Sequence, residues 1–306
     1  MDGTLNRKKN KNRYDLLKAV AWLILPMSMI VLFCVYPFIK AFINSFTEWS
    51  ISGQTKFVFF HNYLSIYSDL VFWKSFKNML ILIFFGLITT NVATICLAEM
   101  LFNMKNKKVS KIYRYIFLIP AIVPGMVIIL LWKNVVFLGT EEGLMNTILS
   151  WFNINPNAWY YSEKWSKFSI IMTNFPWVGG ISFLIYLSGL QAIPESCLEA
   201  AKLDGANTFQ RIRYIDLHLL SGQIKYFFII GIISGAQTFD YQLIITDGGP
   251  NNSTNVPGYM LYLKTYGYSK IGEASAIGVT LFVLTFALTI IANKISKKTQ
   301  GDNIYD

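Results

Sequence analysis

The chain contains 306 residues, of which 54% are hydrophobic and 14% are charged, and its mean hydropathy is +0.42. These proportions exclude an ordinary soluble domain. The formal net charge of +10 is high enough for a nucleic-acid-binding protein, but the placement of the basic residues along the chain excludes that class.

Six apolar segments are each long enough to cross a bilayer, which takes about 20 helical residues. In chain order they cover 19–39, 79–102, 112–136, 168–191, 224–245 and 274–293. The first follows a basic tail and is too long for the apolar core of a cleaved signal peptide. Pro120, Pro124 and Gly125 predict a kink in the third. We therefore expect an all-α polytopic membrane protein with six transmembrane helices.

The basic residues are concentrated on one side of these predicted helices. Six spans place both termini on the same side, and 18 of the 27 Lys and Arg residues lie in the four segments on that side. Because Lys and Arg favour the cytoplasmic side, we expect both termini and the connection between spans four and five in the cytoplasm. The opposite connection, 137–167, carries aromatic residues typical of a membrane interface, namely Trp151, Trp159, Tyr160, Tyr161 and Trp165.

The connection between the fourth and fifth spans is the longest polar stretch in the second half of the chain. Pro194 suits the first turn of a short helix, and Asp204-Gly205 ends that helix, since glycine tolerates the left-handed conformation. Asn207 followed by Gln210 predicts a capping box at the start of a second helix. The pattern predicts two short helices joined at a glycine elbow.

Two groups of residues in this connection resemble a known motif. Glu199-Ala200-Ala201 and Asp204-Gly205-Ala206 are similar to the cytoplasmic EAA loop of permeases from binding-protein-dependent ATP-binding-cassette importers. In that family the loop is a coupling helix that docks on the ATPase subunit. The resemblance implies that these six residues, within a coupling loop at 192–223 between helices four and five, couple the permease to the ATPase.

The resemblance extends over nearly the whole chain, to carbohydrate importers of the maltose and glycerol-phosphate type. The similar residues are Leu25-Pro26, Tyr36-Pro37, Asn62-Tyr63, Phe72-Trp73, Trp132, Asn146, residues 246–250 and Gly272. Asp247 departs from the pattern, because the family often has Gly or Asn there. The implied organisation is a cytoplasmic tail at 1–18, a first helix with an external segment at 19–74, a core permease domain at 75–294 and a cytoplasmic tail at 295–306.

Residues that could catalyse a reaction are scarce. His61 and His218 have no second ligand at metal spacing, and no phosphate-binding G-x-x-x-x-G-K-[ST] motif occurs. The three cysteines form no CxxC pair. We expect no catalytic residues, metal or cofactor in this chain, and the resemblance implies that ATP and Mg²⁺ are bound by partner ATPase subunits.

The fifth span carries one small and polar face. Gly231, Ser234, Gly235, Thr238 and Gln242 recur every three or four residues and therefore lie on one side of a helix. Two interpretations stay open. The face either packs closely against another helix through the Gly231–Gly235 GxxxG pair, or borders a sugar path with room for a ring and groups that bond its hydroxyls.

The resemblance adds further residues to a candidate substrate pathway. The set comprises Asn174, Trp177, Gly179 and Ser182 in the fourth span, with Gly235, Thr238, Asp240 and Tyr241 in the fifth. Trp177-x-Gly179 resembles a tryptophan–glycine feature near the family's sugar site, and an interfacial tryptophan anchor is the alternative. Asp240 either contacts substrate or bonds a neighbouring helix, because an acid inside a span is costly without a partner.

Together these features predict a multi-pass permease subunit of an ATP-driven importer for a sugar, an oligosaccharide above all, in the cytoplasmic membrane. The implied partners are a second homologous permease, two ATPase subunits, an extracytoplasmic solute-binding protein and the lipid bilayer, with no nucleic acid. A permease for another polar solute, such as a phosphorylated polyol, is the alternative of the same class. An intramembrane enzyme or a membrane scaffold would leave the coupling motif unexplained.

The charge asymmetry generates a topology prediction. A cysteine at Ser196 should be protected from an impermeant thiol reagent on intact cells, and a cysteine at Ser162 should be labelled, because Lys and Arg hold the coupling loop inside. Labelling is measured in a chain whose native cysteines are replaced by serine, and permeabilised cells serve as the control. The reverse pattern of labelling would overturn the orientation.

Overall fold

The computed structural model describes residues 20–49, 55–178 and 180–301, together with Lys18. The strands described are β1 (Thr47–Glu48) and β2 (Lys56–Phe57), which pair antiparallel. The helices described are α1 (Val20–Asn44), α2 (His61–Tyr67), α3 (Leu70–Phe102), α4 (Lys107–Ile122), α5 (Gly125–Val136), α6 (Leu144–Ser150), α7 (Ser166–Met172), α8 (Gly180–Gln191), α9 (Glu195–Leu203), α10 (208–219), α11 (Ser221–Thr246), α12 (257–267) and α13 (Ile271–Gly301).

The described helices include four that are each long and apolar enough to cross a membrane, namely α1, α3, α11 and α13. Two bent pairs raise the number to as many as six: α4 with α5, at 90°, and α8 with α9, at 67°. The prediction of an all-α polytopic membrane protein is confirmed.

The bend between α4 and α5 lies where the prolines predicted a kink. Val123 and Pro124 have extended backbone, with ψ of 126° and 132°, so the helix stops and restarts. Proline has no N–H to donate and clashes with the preceding turn, which is why the helix does not continue through residue 124. Pro120 is accommodated within α4 itself.

The fourth predicted span, 168–191, is not one continuous helix, and that expectation is wrong. The chain forms α7, leaves helical geometry after Met172 and resumes as α8 at Gly180. Pro176 lies in the interruption, where Trp177 has a left-handed φ of 57°. Both features prevent a regular α-helix, since proline removes a backbone donor and a left-handed residue reverses the local turn.

Other helix ends differ from the predicted limits because polar residues near the ends are compatible with helix. α3 begins at Leu70, nine residues before the predicted start, and the Asp69 carboxylate caps it by accepting from the Val71 amide at 2.8 Å. α13 continues to Gly301, beyond the predicted end at 293 and into the predicted C-terminal tail. Of the tails predicted at 1–18 and 295–306, residues 1–17 and 302–306 lie outside the described residues.

Helix α3 is the central member of the bundle, in contact with α8 on one side and α11 on another. The C-terminal part of α3 forms an apolar core with Phe183, Leu187 and Leu190 of α8, all at most 2% exposed. One buried polar link crosses this contact, where the Tyr186 hydroxyl donates to Asn91 Oδ1 at 2.6 Å. α1 lies outside this arrangement and packs on α13.

The connection between α5 and α7 folds around the side chain of Asn146. Its amide group donates to three backbone carbonyls, those of Leu138, Thr140 and Asn157, at 2.9–3.2 Å. Its Oδ1 accepts from the Asn157 amide and, at 2.8 Å, from the Trp159 indole. A single buried side chain therefore holds together the connection at 137–167, whose aromatic residues were predicted to lie at the membrane interface.

Two of the predicted interfacial aromatic residues are instead buried in protein. Trp159 and Tyr160 are 6% and 1% exposed and pack with Phe137. Burial raises the pKa of Tyr160, so its hydroxyl stays neutral and shares a 2.7 Å hydrogen bond with Thr173. The aromatic pattern therefore reflects a folded cap formed by this connection, and only the exposed Trp151 and Tyr161 are available for the predicted membrane contact among these four residues.

Asp247 ends α11 in the left-handed conformation, with φ of 49°. Gly248 follows with φ of 79°, so the chain reverses direction over two residues. Asp and Asn accept this conformation more readily than other non-glycine residues. The departure at Asp247 therefore preserves the turn.

Replacement of Asn146 with aspartate should unfold this cap. The new carboxylate oxygen would face three carbonyl oxygens in a buried position, which costs about 3 kcal/mol or more. The loss is measured as a lower unfolding temperature in detergent and faster proteolysis of 137–165. Asn155→Asp, at an exposed position in the same segment, is the matched control and should leave both unchanged. Equal stability of the two variants would contradict the role of Asn146.

Candidate functional site: the coupling loop and the central cavity

The coupling loop begins with α9, which ends in a glycine-dependent cap. The Gly205 amide donates to the Lys202 carbonyl at 3.1 Å, and the Ala206 amide donates to the Ala201 carbonyl at 3.0 Å. These two bonds, with Gly205 at φ of 74°, form a Schellman motif. The predicted glycine elbow is present in the structure.

Helix α10 starts immediately after the elbow with the predicted capping box. Asn207 Oδ1 accepts from the Gln210 amide at 2.9 Å, and Gln210 Oε1 accepts from the Asn207 amide at 2.8 Å. Because both ends of the elbow are closed by local hydrogen bonds, the angle between α9 and α10 is set by the loop's own sequence.

The coupling loop exposes both polar and large apolar side chains. Glu199, Ala200 and Asp204 are exposed, whereas Ala201 is buried. Three apolar residues project from the loop with 88%, 73% and 72% exposure: Leu203, Phe209 and Tyr214. We call these three the docking face. Large exposed apolar side chains clustered on one loop are typical of a surface that another protein covers.

An ion cluster that the sequence did not predict joins the loop to the end of α3. Arg211 Nε donates to Asp216 Oδ2 at 2.9 Å, and Arg211 Nη2 lies 3.5 Å from Glu99 Oε2 at the end of α3. Arg211 Nη2 also donates to Asn103 Oδ1 at 2.8 Å. The sequence signal was limited to an acid at the boundary of an apolar segment, and its basic partner is more than one hundred residues away.

The small and polar face of α11 borders a cavity of about 380 Å³ at the centre of the bundle. All five of its predicted residues line this central cavity, and α3 forms the facing wall with residues that include Ile83, Leu87, Thr90 and Asn91. Asn174 and Ser182 from the fourth span also line it. Asn174 Oδ1 accepts a 2.8 Å hydrogen bond from the Tyr241 hydroxyl, which ties the break in the fourth span to α11.

Both interpretations of the α11 face apply, at different residues. A Cβ atom at Gly231 would lie 2.1 Å from Leu87 Cδ2, and one at Gly235 would lie 2.7 Å from Ile83 Cγ1. The two glycines are therefore packing positions at which α3 approaches α11 closely. Thr238 is exposed to the cavity and is the position where a larger side chain would enter the open space.

Two of the candidate pathway residues, Trp177 and Asp240, do not line the central cavity. Trp177 lines a second, aromatic cavity of about 790 Å³ with Trp132, Trp159 and Trp165, and its indole donates to the Ile171 carbonyl at 2.9 Å. Asp240 is exposed and lines neither cavity. No hydrogen bond joins the Asp240 side chain to another described residue, so the interhelical bond considered for it is absent from the described part of the chain. Gly179 lies outside the described residues.

The chemistry available to the central cavity is hydrogen bonding and apolar contact. Its lining contains hydroxyl and amide side chains and no charged side chain among the described residues. Within the same part of the chain, no three His, Cys, Asp or Glu residues lie close enough to hold a metal ion. The arrangement can accommodate and orient a polar solute.

Comparison with known proteins agrees with this geometry. Residues 83–301 match the family described as binding-protein-dependent transport system inner membrane component. The arabinooligosaccharides transport system permease protein AraP of Bacillus subtilis (strain 168) is 30% identical over 275 residues, which cover 89% of this chain and 86% of that protein. The trehalose/maltose transport system permease protein MalF of Thermococcus litoralis is 30% identical over 295 residues, covering 95% and 98%.

A solved structure shares the fold. A chain of a bacterial ABC transporter involved in the import of the acidic polysaccharide alginate superposes with a TM-score of 0.82, at 22% identity, over 95% of this chain and 99% of that one. The prediction of a transport permease subunit is confirmed by the family match and these relatives. This chain belongs to the family of inner membrane components of binding-protein-dependent transport systems.

Proposed function

We propose that this chain forms one half of a transmembrane path for a neutral oligosaccharide and that its coupling loop docks on an ATPase subunit. The observation that supports the transport role most strongly is the central cavity, where the amide of Asn174 and the hydroxyls of Thr238 and Tyr241 meet between apolar walls. Few convergent polar groups in an apolar pocket are typical of sites that orient a polar ligand.

The uncharged lining favours a neutral sugar over a phosphorylated polyol. A phosphate or carboxylate group in a membrane-embedded site needs a basic residue or several backbone amides to replace its hydration. None of the described lining residues is Lys, Arg or His. Hydroxyl and amide groups instead match the hydroxyls of a sugar, and AraP and MalF are named for transport of arabinooligosaccharides and of trehalose and maltose.

The proposed partners supply the other half of the path, the ATP-binding sites and the delivery of the sugar. A second homologous permease completes the path, and two ATPase subunits supply the ATP-binding sites with their Mg²⁺. An extracytoplasmic binding protein delivers the sugar, as in the solved complex of the alginate transporter with a pentasaccharide-bound periplasmic protein. With the termini and coupling loop in the cytoplasm, the docking face is oriented toward the ATPase.

The transport cycle uses the loop as a rigid lever. Closure of the ATPase dimer on ATP displaces α9. The displacement passes to α10, because the elbow and the capping box hold the two helices at a fixed angle. The displacement turns the central cavity outward, where it receives sugar from the binding protein. Glu199 offers an exposed carboxylate to a basic residue of the ATPase, and an ion pair at such a site contributes up to about 1 kcal/mol.

Thr238→Leu should lower sugar uptake. The larger side chain enters the central cavity and occupies space that the sugar needs, and a loss of about 1–3 kcal/mol in sugar binding is equivalent to about five-fold or more in occupancy. Uptake of radiolabelled maltotriose and arabinotriose is measured in cells at matched expression. Thr89→Leu is the control, because Thr89 bonds carbonyls of its own helix and does not line the cavity. Unchanged uptake of any transported sugar in the Thr238 variant would remove the cavity from the path.

Gly205→Val should abolish ATPase-coupled uptake while the chain still inserts in the membrane. A left-handed conformation costs a non-glycine residue about 1–2 kcal/mol, and more for a β-branched one, so α9 would be presented at a different angle. No atom lies within 4 Å of a Cβ built at this position, so the effect is conformational only. Gly205→Asn is the matched control, since asparagine tolerates this conformation, and it should retain coupling.

The measurements for Gly205 are uptake, stimulation of ATP hydrolysis by loaded binding protein, and copurification of the ATPase. Glu199→Ala should weaken the same three quantities less than Gly205→Val does. Full transport by the Gly205→Val complex would refute the assignment of the loop as the coupling element.

A further inference from the structure

The ion cluster joins α10 of the coupling loop to α3, the helix that lines the central cavity. Arg211 belongs to α10, directly behind the elbow, and bonds Asp216 within the same helix. The same guanidinium reaches Glu99 and Asn103, at the end of α3, and lies 5.5 Å from the centre of the Phe102 ring. Arg211 therefore supplies the polar link between the loop and α3, beside an apolar cluster in which Leu198 and Leu220 of the loop join Leu101 of α3.

The cluster contains more acid than base. The Glu99 and Asp216 side chains are 6% and 0% exposed, and Arg211 is 17% exposed. Glu99 Oε1 and Asp216 Oδ1 are buried and accept no hydrogen bond from the described residues. The guanidinium is consequently the group that holds two buried carboxylates together, and its planar fork suits this better than an ammonium would.

Helix α3 carries the other end of this connection to the central cavity. It is one unbroken helix from Leu70 to Phe102, and seven of its residues between Met79 and Asn91, including these two, line the cavity. Asn91 is eight residues from Glu99, which is about 12 Å along a helix. A displacement of the α3 end therefore moves the cavity wall, because a continuous helix does not absorb it in a hinge.

We propose that Arg211 is a positioning residue that transmits movement of the coupling loop to the wall of the central cavity through Glu99 and α3. This role rests on the proposed docking of the loop on the ATPase. It goes further by assigning the route from the loop to the cavity to a buried ion cluster. A cluster that only stabilises the fold would leave the cavity wall free to respond by other routes.

The test measures the cavity wall directly. Thr90→Cys, on the lining face of α3, is introduced into a chain whose Cys34, Cys96 and Cys197 are replaced by serine. Its rate of reaction with a small thiol reagent is recorded in the assembled complex with and without a non-hydrolysable ATP analogue. We expect the analogue to change the rate by about five-fold or more with native Arg211, and by less than two-fold in Arg211→Gln.

Two further variants separate transmission from stability. The neutral triple variant Arg211→Gln/Glu99→Gln/Asp216→Asn removes the buried charges together, so it does not leave an acid uncompensated. It should retain the copurifying ATPase and basal ATP hydrolysis, yet lose the response at residue 90 and about ten-fold of uptake. Lys105→Gln, an exposed cation near Asn103, is the control and should behave as the native chain.

The outcomes distinguish this proposal from the proposed function. Failure of the native chain to retain the ATPase would refute docking by the loop. A native response at residue 90 in an assembled Arg211→Gln or triple variant would refute the transmission role alone. Loss of assembly in both variants would place the cluster in folding and would also overturn the transmission role.

Discussion

Every interruption of a membrane helix exposes backbone groups that lipid cannot hydrogen-bond, so each must be satisfied within the protein. This constraint accounts for much of the architecture. At the break in the fourth span, Thr94 of α3 donates to the Trp177 carbonyl at 3.2 Å. Near the end of α11, Lys133 of α5 donates to the Ile244 carbonyl at 2.8 Å. The side chains that satisfy these breaks come from neighbouring helices, so the irregular segments are possible only in the folded bundle.

The same interruptions create the central cavity. A continuous fourth span would carry Asn174 past the bundle as one more helical residue, whereas the break lets its amide bond Tyr241 and border the open space. On one face of α11, the glycines let α3 approach closely, and the larger polar residues of the same face border the open space. The central cavity and tight helix packing thus share one helix face, separated by only a few residues.

Local patterns in the sequence predicted the features whose hydrogen bonds are local. The elbow at Gly205 and the capping box at Asn207 are closed by atoms within five residues, and the kink before α5 is dictated by Pro124. Features that depend on distant partners were missed. The pairing of Arg211 with Glu99 and the placement of Trp177 in a separate cavity need the packing of several helices, which helical periodicity does not encode.

The exposure of the docking face affects how long an unassembled copy of the protein persists in the cell. Leu203, Phe209 and Tyr214 are almost fully exposed in the single chain. Apolar side chains held this far from the bundle attract chaperones and proteases until another subunit covers them. With the loop docked on the ATPase as proposed, a copy without that partner would keep these side chains exposed, and the abundance of the permease should follow that of the ATPase.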